Sequence, residues 1–177
     1  EGLQAVFQYW DAQTDDAALT HAVVRSAQKL GATCITGCEL LHTEEAHAQH
    51  RLHLRSGERE WHCHARTLVN AAGPWVNDII ARCQYGGAPQ PLSWVKGTHI
   101  IVPASAKPGI FYLEAPRDAR AIFVMPWRDR DGNAKTLIGT TEVEVDTPNA
   151  APTTAEIDYL LETLRAYFPD HPDTVLD

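Results

Sequence analysis

The apolar positions along this chain change period, and each change marks a different kind of element. In "TDDAALTHAVVRSAQKLGA", residues 14–32, Leu19, Ala22, Val23, Ser26, Ala27 and Leu30 recur at helical spacing and predict an amphipathic helix. Asp15 and Asp16 suit its positive end, and Gly31 stands where a C-terminal cap belongs. Three strands are expected next, the first over residues 33–41. In the second, "HRLHL", Leu52 and Leu54 alternate against Arg51 and His53. After a Ser56-Gly57 turn comes "EWHCHARTLVN". There Trp61, Cys63, Ala65, Thr67 and Val69 share a face opposite His62, His64, Arg66 and Leu68. A helix followed by a three-stranded meander is the expectation for this half.

The Gly- and Pro-rich "QYGGAPQP", residues 84–91, reads as a linker. Beyond it the texture is strand with little helix: "WVKGTHIIVP", "GIFYLE", "AIFVMPW" and "TLIGTTEVEV". "RDRDGNAK" predicts a hairpin turning on Asp131-Gly132 or Gly132-Asn133. A last helix is expected after Pro152, with Thr153 and Glu156 at capping-box spacing. Ile157, Leu160, Leu161, Leu164 and Phe168 form its buried stripe. The fold class is therefore α+β, a meander with flanking helices and a mostly antiparallel sheet, divided into residues 1–83 and 84–177.

Composition narrows the function. The 177 residues are 44% hydrophobic and 21% charged, an ordinary globular mix. With 15 basic and 23 acidic residues the formal charge is -8, which argues against a nucleic-acid footprint. No apolar run approaches the ~20 residues of a membrane span. Residues 1–10 have neither a basic start nor a long apolar centre, so no secretory leader is read there. The beginning and end of the sequence suggest an internal fragment of a longer protein. Cys34, Cys38, Cys63 and Cys83 are scattered and read as reduced thiols rather than a disulfide framework. His53, His62, Cys63 and His64 invite a zinc reading. His62 and Cys63 point to opposite strand faces, and no CxxC or HxxxH pair completes a tetrahedral set, so no metal is expected.

Four motifs carry candidate chemistry, each with a plainer reading beside it. "NAAGPW" drops from strand-formers to small residues, with Pro74 fitting the first turn of a helix. Ala71, Ala72 and Gly73 permit close approach by a ligand, or simply tight helix–strand packing. In "VKGTHIIVP", His99 can take a proton near neutral pH and Lys96 can hold an anion; alternatively they are an idle strand-edge pair. Arg120, ahead of the apolar "AIFVMPW", can fork around a phosphate or end a strand in solvent. Gly139 in "LIGTTE" marks close approach or a bulge.

Together, "YWDAQTDDAAL", "LVNAAGPWV", "VKGTHIIVP" with "IFVMPW", and "LIGTTEVE" resemble the FAD-dependent glycerol-3-phosphate dehydrogenases. These stand within the D-amino-acid-oxidase-like flavoproteins. "NAAGPW" marks the wider class, and "KGTHIIVP", "FVMPW" and "IGTTE" together mark the glycerol-phosphate branch. The resemblance implies a two-domain enzyme. Residues 1–83 would be part of the FAD-binding domain and 84–177 part of the substrate-binding domain. It implies oxidation of sn-glycerol 3-phosphate to dihydroxyacetone phosphate, with electrons passing to a quinone at the inner membrane. The protein would lie in the cytoplasm, peripheral to that membrane, and touch it through parts outside these residues.

By the same resemblance His99 is the base or hydroxyl-orienting group. Lys96, Arg120, Thr140 and Thr141 bind substrate, and Asn70, Ala71, Ala72, Gly73 and Trp75 bind the cofactor. Two positions depart from the pattern: Ala18 stands where relatives carry Arg, and Glu142 where Asp is usual. No GxGxxG occurs in these residues, so the chain alone is expected to be inactive and to hold FAD weakly or not at all. The competing readings are a flavin oxidase acting on glycerol phosphate, an amine or an amino acid, and a non-catalytic interaction module.

Overall fold

Asp15 and Gly31 delimit the first helix as the sequence predicts. The computed structural model describes residues 5–46, 49–84, 86–105, 109–172 and 174–176. In it α1 spans Asp16–Lys29, and the Asp15 carboxylate accepts from the Ala18 amide at 2.8 Å. Gly31 follows with φ 97°, the left-handed turn that glycine adopts cheaply. The apolar stripe, however, stands largely open: Leu19 is 55% exposed, Val23 60% and Leu30 88%. The chain groups into two units, Glu1–Leu68 with Arg82–Gln84, and Val69–Ala81 with Tyr85–Asp177.

The first unit carries an antiparallel sheet of β1 (Glu39–Ala46), β2 (Gln49–Ser56) and β3 (Arg59–Ala65), in that order. Strand β1 begins later than expected, because Gly37 turns the chain at φ 64° and the ladder starts only at the Glu39–Arg55 pair. A bulge between Leu40 and His42 inserts Leu41 without a partner. It reverses the alternation, so His42 lies opposite His53, and His53 lies opposite His62. The opposite face holds the buried Leu52 and Thr43. Strand β3 stops at Ala65, short of the expected Asn70. Its last pair in the ladder is with His50, next to the end of β2 at Gln49. Residues 82–84 run beside β1. Arg82 binds Glu39 Oε1 at 2.8 Å and the Leu40 carbonyl at 2.7 Å, and the Gln84 side chain accepts from the Glu45 amide at 3.0 Å.

The second unit opens with a 3-10 turn, Gly73–Trp75, leading into α2 (Val76–Arg82). "WVKGTHIIVP" forms two strands rather than one, β4 (Trp94–Lys96) and β5 (His99–Pro103). "TLIGTTEVEV" likewise divides into β8 (Ala134–Gly139) and β9 (Val143–Val145). The breaks coincide because the chain changes sheets at both. Strand β4 pairs with β9, whereas β5 enters a four-stranded antiparallel sheet ordered β5-β8-β7-β6. In that sheet β6 is Phe111–Glu114 and β7 is Ala121–Arg128. The β7–β8 hairpin turns as expected, with Gly132 at φ 82° and the Asp129 carboxylate accepting from the Asp131 and Asn133 amides at 3.0 and 2.8 Å.

Helix α3 (Thr154–Tyr167) starts at a complete capping box between Thr153 and Glu156. Its predicted stripe packs on one face of the four-stranded sheet. Ile100, Val102, Ile122, Val124, Ile138, Leu160, Leu161, Leu164 and Phe168 make the core. Each fully buried side chain there contributes about 1.5–3 kcal/mol relative to exposure. By strand alternation the other face of the sheet presents His99, Gly139, Phe123 and Tyr112. Among the described residues no helix is long and apolar enough to cross a membrane.

Candidate functional site

The uncovered face of the four-stranded sheet is where the candidate residues begin to meet. His99 opens β5 directly opposite Gly139, which in turn lies opposite Phe123 on β7. Phe123 then packs edge-to-face on Tyr112, with ring centroids 5.0 Å apart. The His99 ring lies over the β8 backbone. A Cβ on residue 139 would fall 2.3 Å from His99 Cδ2 and 2.7 Å from Cγ, so only glycine leaves room for the imidazole. The ring keeps an exposed edge, yet its partial burial holds the pKa below the ordinary histidine value. At neutral pH His99 is therefore neutral, with a ring nitrogen available as acceptor.

Behind His99, the places where the chain changes sheets are fastened by a buried carboxylate. Glu156 Oε1 accepts from Thr98 Oγ1 at 2.8 Å and Thr141 Oγ1 at 3.0 Å. Oε2 accepts from Lys96 Nζ at 2.6 Å, the Thr153 amide at 2.9 Å and Thr153 Oγ1 at 2.7 Å. Lys96 also donates to the Ala151 carbonyl at 2.6 Å. Burial alone would raise the Glu156 pKa; the bonds from Lys96, Thr153 and Thr98 outweigh it and hold the carboxyl well below its usual range. Thr141 Oγ1 accepts from the Thr98 amide at 2.9 Å. Lys96 and Thr141 are thus tied to Glu156. Thr140 is half-buried, donates to the Thr141 carbonyl at 2.9 Å, and packs so tightly on Gly97 that a Cβ there would fall 2.4 Å from its hydroxyl.

Arg120 is held at the mouth of the β6–β7 turn. Its Nη2 pairs with Glu142 Oε2 at 2.5 Å, while its buried Nε has no hydrogen-bond partner among the described residues. The turn is clamped from α3: Tyr159 donates to Asp118 at 2.8 Å, and burial with that bond pushes the phenol up to about 12. Arg120 is three residues before Phe123, so its Cα lies within about 10 Å of the His99 row.

The "NAAGPW" corner is open. Ala71, Gly73 and Trp75 are exposed and Ala72 is half-buried, so among the described residues no core side chain fills it. Asn70 organises it, donating to the Val76 carbonyl at 2.9 Å and accepting from the Ala72 amide at 3.2 Å. Gly73 is required for its backbone, at φ 53°; a Cβ there would meet nothing within 4 Å. Gly73 and Lys96 line one open groove of about 430 Å³, with Pro74, Trp94 and Val145. The uncovered small-residue backbone and the exposed Trp75 ring fit a planar nucleotide cofactor. The structure thus gathers Lys96, Thr140 and Thr141 behind His99, and Asn70, Ala71, Ala72, Gly73 and Trp75 at the corner. Arg120 is engaged by Glu142. Glu156 and Thr98 escaped the sequence reading as site residues, and Gly139 was read only as a close approach or a bulge. The capping spacing located Glu156, but its bonds to Thr98 and Thr141 join positions 58 and 15 residues away.

Comparison with known proteins agrees with the resemblance. The chain is 34% identical over 165 residues to a glycerol-3-phosphate dehydrogenase of Pseudomonas aeruginosa, covering 92% of this chain and 31% of that protein. It is 33% identical over 169 residues to the D-erythritol 1-phosphate dehydrogenase of Brucella abortus, covering 93% of this chain and 33% of that protein. An aerobic glycerol-3-phosphate dehydrogenase of Staphylococcus aureus is 30% identical over 178 residues, with 96% and 31% covered. The chain spans about a third of the length of these relatives. The model of FAD dependent oxidoreductases matches residues 1–177, and to that family the chain belongs.

Proposed function

We propose that this chain is part of an FAD-dependent dehydrogenase that oxidises sn-glycerol 3-phosphate to dihydroxyacetone phosphate. The observation that carries the reading is the His99 imidazole laid on the Gly139 backbone at an uncovered sheet face. Names of relatives at 30–34% identity support a polyol-phosphate substrate. Bound FAD supplies the two-electron acceptor for the hydride leaving C2. His99 accepts the C2 hydroxyl proton, so the alcohol becomes a ketone as one proton and one hydride depart. Arg120 lies at the mouth of the substrate-phosphate pocket and adds positive potential there, with Glu142 fixing one end of its guanidinium. Thr140 borders the substrate. Lys96 and Thr141 act by way of Glu156, holding the strand breaks that set the position of His99. Asn70, Ala71, Ala72, Gly73 and Trp75 would hold the cofactor.

Quinone is the proposed electron acceptor, with the whole protein peripheral to the inner membrane on its cytoplasmic side. The chain alone is proposed to be inactive and to hold FAD poorly. The test is His99→Asn in the full-length protein. Turnover should fall about 100-fold or more with FAD content unchanged, the usual scale for removing a general base. Unchanged turnover sinks the reading. Arg120→Met should raise KM for glycerol 3-phosphate far more than it lowers kcat. The Brucella relative favours one second reading, a tetritol phosphate as substrate, decided by comparing kcat/KM for the two phosphates.

A further inference from the structure

The geometry points to a second site, unrelated to flavin chemistry. It is a divalent transition-metal site on the three-stranded sheet of the first unit, formed by His42, His53 and Glu44. The bulge at Leu41 brings His42 to the same face as His53, and their rings stack with centroids 4.1 Å apart and planes 13° apart. Glu44, two residues along β1, places Oε1 3.5 Å from Nε2 of both histidines. The ligand-competent atoms of all three lie within 4.8 Å of one another.

The two 3.5 Å carboxylate–imidazole separations are close to the edges of a coordination polyhedron, and the stacked rings would turn about their side-chain bonds to aim both lone pairs at one ion. Zinc–nitrogen and zinc–oxygen bonds of about 2.0–2.2 Å at tetrahedral angles put neighbouring ligand atoms about 3.3–3.5 Å apart. The His53 Nε2 atom is buried and has no hydrogen-bond partner among the described residues, so this nitrogen is left without another task there. Two imidazoles and one carboxylate select zinc, cobalt, nickel or copper over magnesium or calcium, whose hard ions prefer oxygen. A fourth position stays open to water, with His62 next in the row at a ring-centroid distance of 6.3 Å from His53. Arg51, opposite Glu44 in the ladder, sets a positive charge beside the cluster that moderates its affinity for a cation. A bound ion would clip β1 to β2.

The test uses the untagged full-length protein. Titration with Zn2+ should show one saturable site per chain in the micromolar range, and Co2+ should give visible absorption bands of a nitrogen–oxygen site. His42→Ala, His53→Ala and Glu44→Gln should each weaken binding about tenfold or more, while His64→Ala leaves it unchanged. A second measurement needs no variant. Zinc should protect His42 and His53 from carbethoxylation, read by mass spectrometry, and leave His21 and His64 unprotected. Absence of saturable binding, binding that survives loss of both His42 and His53, or uniform protection of all histidines would overturn the proposal.

Discussion

The two sheets of this chain are stabilised by different means. The four-stranded sheet buries Ile100, Val102, Ile122, Val124 and Ile138 under α3. The three-stranded sheet buries little beyond Leu52 and Thr43, and its other face is a ladder of histidines and charges. A covered face is apolar and fixed in register by packing. A face without cover is free to carry chemistry, and both candidate sites, the His99 row and the His42–His53–Glu44 cluster, lie on such faces.

The largest expected effect tests the covered face. Leu164→Ala, at a fully buried position, should lower unfolding free energy by about 2–5 kcal/mol in urea titrations. Leu52→Ala in the meander should cost clearly less; an equal cost would erase the contrast. Next comes Glu156→Gln, which leaves the largely buried Lys96 ammonium without its carboxylate and should cost about 3 kcal/mol.

The same residue gives a pH signature. Its folded pKa lies below the unfolded value, so its contribution is complete above about pH 4.5 and is lost as pH falls through the acid range. His99, also depressed, works in the same direction below about pH 6.5. Acid unfolding of the second unit should therefore be less steep in Glu156→Gln than in the wild type, as followed by tryptophan fluorescence between pH 2 and 7. Gly139→Ala should displace the His99 ring and reduce turnover of the full-length protein about as much as His99→Asn, with a modest loss of stability. The smallest effect is expected for Glu39→Gln. It breaks exposed pairs with Arg55 and Arg82, whose contribution should vanish in high salt.

Much of the covered unit was readable because its signals are local. The α3 stripe and the Thr153–Glu156 box follow from helical spacing, and the Gly132 turn from its residue type. The candidate residues around His99 and at the alanine–glycine corner were named by resemblance. The network of bonds behind them was not. Thr98 and Thr141 are 43 residues apart, and nothing in either neighbourhood announces a shared carboxylate. Strand continuity misled where Gly97 and Thr140 interrupt apolar runs, because the change of sheet depends on which distant strand offers the next ladder.

Alternation likewise placed His62 and His64 on one face, but the partnership of His42 with His53 depended on an unpaired Leu41. Period and propensity act over a few residues, so this sequence by itself determined its helices, most of its strand segments, its turns and its family. Which carboxylate quiets Lys96, which backbone lies under His99 and which histidines stack were decided only in the tertiary structure. Hydrogen bonds and ring contacts act over a few ångströms, between groups that only the fold brings together.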